Sequence, residues 1–145
     1  MTATARERTA WSSIVAGAIA GLGGGVLFGA MMGMMNMLPM VGMLVGVESA
    51  LVGAVVHMVI SAFVGAGFGL IVSQMSHYAL GTALVGGVVY GVFWWVLGAL
   101  ILMPLMLGMT QMVLAIGAAQ WLSLVGHLVY GVATGLLLLY LRQRV

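Results

Sequence analysis

Four long apolar stretches with short interruptions organise this chain. The first runs from Ile14 to about Met35 and ends where Asn36 and Pro39 break the pattern. Proline lacks an amide proton and disfavours helix in the residue before it. The second is expected from about Ser49 to Val72, closed by the polar turn Ser73-Gln74-Met75-Ser76-His77-Tyr78. The third spans about Leu80 to Leu102, before a break marked by Pro104, Gly108, Thr110 and Gln111. The fourth covers about Ala118 to Leu141. None of these runs alternates apolar with polar positions, as a barrel strand must over about 10 residues. A hydrocarbon core about 30 Å thick needs about 20 apolar helical residues per crossing. Each stretch therefore reads as a membrane-spanning helix, the first retained rather than cleaved as a signal.

Composition narrows the class further. The chain has 145 residues, of which 64% are hydrophobic and 4% charged. A soluble domain carries about 25% charged residues, so a water-soluble globule is excluded, and so is a polar disordered chain. Four arginines and no lysine cannot form a patch that tracks phosphates, which excludes a nucleic-acid partner. With no cysteine, disulfides, thiolate metal sites and cysteine nucleophiles are absent.

The charged residues are Arg6, Glu7, Arg8, Glu48, Arg142 and Arg144. Arginines sit at both ends, and the positive-inside rule places both termini in the cytoplasm. Glu48 then falls on the far side. Trp11 and Trp121 lie near the expected interfaces, where amphipathic rings prefer to sit. The far-side loops, Met37 to Val45 and Met103 to Met109, are themselves apolar. They call for immersion in the bilayer or cover by a partner protein, because irregular backbone at membrane depth needs its amides satisfied.

The two halves of the chain resemble each other. Pro39 matches Pro104, and the same offset aligns Gly21 with Gly86, Phe28 with Phe93 and Gly33 with Gly98. A slightly longer offset aligns His57 with His127 and Gly65 with Gly135. Two helices per half give both halves one orientation, a parallel repeat about an axis along the membrane normal. The expected fold is all-α integral membrane: one domain over residues 1–145, with four transmembrane helices as two parallel-repeat hairpins, about 11–73 and 79–141.

Small residues dominate the contact faces. Gly17, Gly21, Gly25, Gly29 and Gly33 recur every fourth residue in the first helix. Each step drifts about 40°, so they share one broad face on which helix backbones approach closely. Gly65, Gly69 and Gly135 extend the same expectation to the second and fourth helices. At the Pro39–Pro104 offset Tyr90 and Trp94 replace Gly25 and Gly29, which predicts different packing for the third helix.

His57 lies between Gly53 and Ser61, and His127 between Ser123 and Gly131, each one turn away. An intramembrane histidine is a functional candidate by default, and neutral imidazole is a common axial ligand. His57 and His127 are therefore candidate ligands for a haem or a (bacterio)chlorophyll, with Gly53, Ser61, Ser123 and Gly131 as clearance beside them. The plainer alternative is an imidazole bonded to a carbonyl or serine of a neighbouring helix. His77 sits in a turn.

Other features point to packing. The chain has 14 methionines, and Met31, Met34, Met37, Met40 and Met43 repeat every third residue, as do Met103, Met106, Met109 and Met112. Thioethers suit Cu(I), but a three-residue step fans over about 240° of a helix across five residues and cannot converge on one ion. Methionine as flexible filler is the simpler account. Trp94 and Trp95 sit mid-helix, too deep for an interfacial belt, and are expected to meet a helix, partner or cofactor. Glu48 is the only interior carboxylate, too few for paired acid–base chemistry. The expectation is not an enzyme.

The run Gly126-His127-Leu128-Val129-Tyr130-Gly131-Val132-Ala133-Thr134-Gly135 resembles a pattern in small uncharacterised multi-helix prokaryotic inner-membrane proteins. At His57 the pattern departs, since Val56 and Ile60 stand where Gly126 and Tyr130 would. The resemblance implies a prokaryotic inner membrane and no activity. The leading functional expectation is an accessory subunit of a respiratory or photosynthetic membrane complex, packing helices, lipid or pigment beside membrane-protein partners or further copies of itself. The alternatives are a tetrapyrrole-ligating redox or pigment subunit and a small oligomeric transporter or channel.

Overall fold

The structure, a computed structural model, describes the backbone of residues 3–143 and the side chains of residues 10–143. The side chains of Arg6, Glu7, Arg8 and Arg144, which carried the orientation argument, lie outside the described residues. The chain is an all-α membrane protein. Four segments are long and apolar enough to cross a bilayer: Ala10–Met34, Ala50–Ser73, Leu80–Met106 and Ala118–Arg142. They belong to α1 (Ala3–Met34), α3 (Ala50–Ser73), α4 (Leu80–Trp94) with its continuation through α5 (Met103–Met106), and α6 (Ala118–Arg142). A short helix, α2 (Leu38–Gly42), caps the end away from the termini. Large apolar side chains on every span face outward, among them Ile19, Leu51, Phe63, Val85 and Leu122, as a lipid-facing surface requires.

The helices pack in the order α3, α1, α6, α4. Glycine determines the first contact. A Cβ on Gly21 would lie 2.7 Å from the Gly65 Cα, and one on Gly17 2.7 Å from the Gly69 Cα. Only hydrogen at these positions lets the backbones meet. Gly33 does not join this face: it is exposed, and its nearest neighbour would be the Leu38 side chain. Gly53 of α3, the next position in that register, is covered instead by Leu38 and Gly42 of the short helix α2.

The α4–α6 pair closes the same way, which corrects the expected loss of the ladder in the third helix. Gly87 faces Gly131, Gly91 faces the His127 carbonyl, and Ala83 lies against Gly135. Gly87 and Gly91, not Tyr90 and Trp94, carry the close contact of α4. Tyr90 and Trp94 lie on another face, towards α3.

Pro104 does not end its helix, another correction. From Trp95 to Leu102 the chain widens into a π segment, in which the Met103 amide donates to the Gly98 carbonyl. The carbonyl that proline would ordinarily deprive of a donor, Leu100 O, accepts instead from the Leu114 amide at 2.9 Å. Leu114 adopts a left-handed φ of 56° to do so, a strained conformation for a γ-branched residue. The second apolar loop is thereby tied to the helix it follows.

At the end carrying the termini, the Tyr78 hydroxyl donates to the Gly135 carbonyl at 2.9 Å, and Arg142 donates to the Val72 carbonyl at 3.1 Å. The guanidinium lies 5.8 Å from the Tyr78 ring centroid, within cation–π range. Burial pushes the Tyr78 hydroxyl up to about 12, against the opposing pull of Arg142. The neutral hydroxyl is thus the form the fold prefers. Its contribution is complete below the unfolded value of about 10 and is lost as pH rises through about 12. Thermal unfolding in detergent should show this loss across that window, and Tyr78→Phe should remove that part of the pH dependence.

Candidate functional site

Phe28 organises the middle of the bundle. Its buried ring lies edge-on to both histidines, with centroids 5.4 Å from His57 and 4.8 Å from His127. It reaches this place because Gly126 has no side chain; a Cβ there would meet the Phe28 ring. A macrocycle held by both His57 and His127 would have to share their faces with the Phe28 ring.

The two imidazoles are held differently. His57 Nε2 donates to the Gly25 carbonyl of α1 at 2.9 Å, with Ser61 Oγ at 3.4 Å from the same nitrogen. Gly29 leaves room for the ring, since a Cβ there would stand 3.2 Å from His57 Cδ2. His57 is a buried link between helices. His127 Nδ1 sits 2.8 Å from the Ser123 carbonyl. A carbonyl only accepts, so Nδ1 carries the proton and Nε2 keeps its lone pair. Among the described residues, no hydrogen bond engages Nε2.

The residues expected to provide clearance mostly provide contacts. Gly53 is closed by the Leu38 carbonyl and Gly42 of the cap, and Gly131 by Gly87. The Ser61 carbonyl accepts from the Tyr130 hydroxyl at 2.7 Å. The Ser123 carbonyl orients His127, with Ser123 Oγ 3.4 Å from Nδ1. The tryptophans part company as well. Trp95 is buried, donates to the Gln120 carbonyl at 3.0 Å and stacks on Trp121 at 6.0 Å, so its contact is within the chain. Trp94 is half-buried, and its Nε1 is sealed inside the bundle, with the ring edge-on to Tyr90 at 6.2 Å.

Trp94 and His127 both line a cavity of about 450 Å³. Composition could not reveal this feature, because it arises from unequal packing. The backbones of α1 and α3, α4 and α6, and α1 and α6 come together, but Tyr90 wedges α3 from α4. Its ring packs on Phe68 at 4.8 Å and its hydroxyl donates to the Val64 carbonyl at 2.7 Å. The cavity lies on the loop side of this wedge. Phe28 and Met32 form its α1 wall, Val56, His57 and Val64 its α3 wall, and Trp94, Gly98 and Ala99 the opposite one. Exposed Ile60, Leu102 and Met106 lie at its mouth, between α3 and the π segment. Methionines 32, 37, 103 and 106 line it from three segments, as flexible apolar wall.

The lining holds no carboxylate and no arginine. Among the described residues, no three histidine or acidic side chains gather into a metal site. Its volume suits a small lipophilic molecule, since ligand pockets span about 300–1,000 Å³. Comparison with protein-family models, curated proteins and solved structures gives no match.

Proposed function

We propose that this chain is a multi-pass subunit of a prokaryotic inner membrane that holds a lipophilic molecule, taken sideways from the bilayer into the cavity between α3 and α4. The observation that carries the reading is the cavity itself, whose lining is apolar except for His57, Ser61, Ser123, His127 and Tyr130. A π segment lines it, and such departures from α-helix recur at functional sites. Both termini face the cytoplasm in this reading, so the cavity lies in the outer half of the bilayer. The test is to purify the full chain from its native membrane in mild detergent, extract it and identify the extract by mass spectrometry. One lipophile near equimolar ratio supports the reading. Bulk lipids in bulk proportions remove it.

A specific observation favours work within a larger assembly. The cap end exposes Met40, Met43, Val45, Val47, Leu114 and Ile116, an apolar face that only a partner or immersion in lipid would cover. Partner proteins that co-purify with the full chain and are lost on Val45→Asp support this second reading. A chain that purifies alone as a stable monomer counts against it.

A further inference from the structure

We infer that the cavity selects a neutral lipid carrying a hydroxyl donor, of the quinol or sterol-alcohol kind. The inference rests on the proposed binding role and deepens it.

Charge is the first constraint. The lining has no cation to meet a carboxylate or phosphate and no anion to meet an amine. A charged group taken into such a wall would lose its hydration with nothing in return. The ligand inside is therefore neutral.

Hydrogen bonding is the second. The Ser123 carbonyl fixes the proton of His127 on Nδ1, and Nε2 presents a lone pair. An acyl chain alone would leave that acceptor dry and its hydrogen bond unmade. A ligand O–H satisfies it. A carbonyl or ether oxygen would set lone pair against lone pair. Trp94 lends its ring to the same wall, while its Nε1 is shut away from the cavity. The remaining wall, from Met32 to Met103, takes the apolar body.

The test uses the full chain in nanodiscs with two probes of nearly equal size: decylubiquinol, and the same compound with both hydroxyls methylated. Tight binding of the quinol, with the ether weaker by about tenfold, is the expected result. That ratio corresponds to about 1.4 kcal/mol. His127→Phe should abolish the ratio while leaving ether binding intact, and His127→Gln, which restores an acceptor, should recover part of it. Ether binding to His127→Phe also verifies that the variant folds. Equal binding of quinol and ether by the unaltered chain overturns the hydroxyl inference but leaves the binding role standing. Failure of both probes to bind removes the role as well. A metal-macrocycle absorption band that co-purifies with the chain and disappears in His127→Phe would overturn the hydroxyl inference in favour of axial ligation.

Discussion

Gly65→Ile is expected to destroy the α1–α3 pair, the largest effect of any single change in this chain. A Cβ at residue 65 would lie 2.6 Å from the Gly21 Cα and against the Gly17 carbonyl. Overpacking costs typically 1–3 kcal/mol where side chains can yield. Here the obstacles are backbone atoms of another helix, so relief requires the helices to separate. Separation also breaks the His57–Gly25 hydrogen bond one and two turns away. The cost is at least about 3 kcal/mol, a large share of the roughly 5–15 kcal/mol that holds a domain folded. Size-exclusion yield and thermal unfolding in detergent would measure it. The control is Gly81→Ala, where an added Cβ meets nothing within 4 Å. Its stability should be unchanged or slightly raised. A Gly65→Ile protein as stable as the unaltered chain would refute the described contact.

The spans were legible because hydrophobic runs and their breakers act locally. The turn at Ser73 to Tyr78 and the end of α1 before Asn36 follow from side-chain polarity and backbone restriction within a few residues. Pro104 was misread for an instructive reason. The donor that rescues the Leu100 carbonyl comes from Leu114, beyond the helix, and no local rule anticipates it. The glycine ladder of α1 was readable for the same local reason as the spans. The small-residue face of α4 was hidden by aligning the halves on their prolines, which drew the eye to Tyr90 and Trp94 when Gly87 and Gly91 make the backbone contact.

The histidines illustrate the harder limit. Their flanking small residues marked them as unusual, and they do converge on one place. What the spacing could not show is Phe28, which comes from a different helix and packs against both. The same asymmetry accounts for the motif around His127. Gly126 admits Phe28, and Tyr130 bonds the Ser61 carbonyl; both have a packing role before any functional one. The cavity was invisible because it is defined by a missing contact, that of α3 with α4, and not by residues with a chemical signature.

Filling that cavity should separate binding from stability. Val56 is half-buried on the α3 wall and lines the cavity. Val56→Trp is expected to lower ligand occupancy at least about tenfold, equivalent to about 1.4 kcal/mol. The added ring enters open volume, unlike isoleucine at residue 65. Cavity filling commonly adds about 0.5–2 kcal/mol of stability, so the ligand-free protein should unfold at the same temperature or higher. A bound ligand stabilises the folded state by mass action, about 2.7 kcal/mol at a hundredfold excess over Kd. The unaltered chain should therefore gain thermal stability with ligand while Val56→Trp gains little, the two curves crossing as concentration rises. Leu70→Trp places the same ring on an exposed position outside the cavity and should behave as the unaltered chain does. Undiminished occupancy in Val56→Trp would move the ligand out of this cavity and onto the lipid-facing surface. Loss of occupancy together with a fall in ligand-free stability would instead show that the wall around Val56 is already packed and offers no room for a guest.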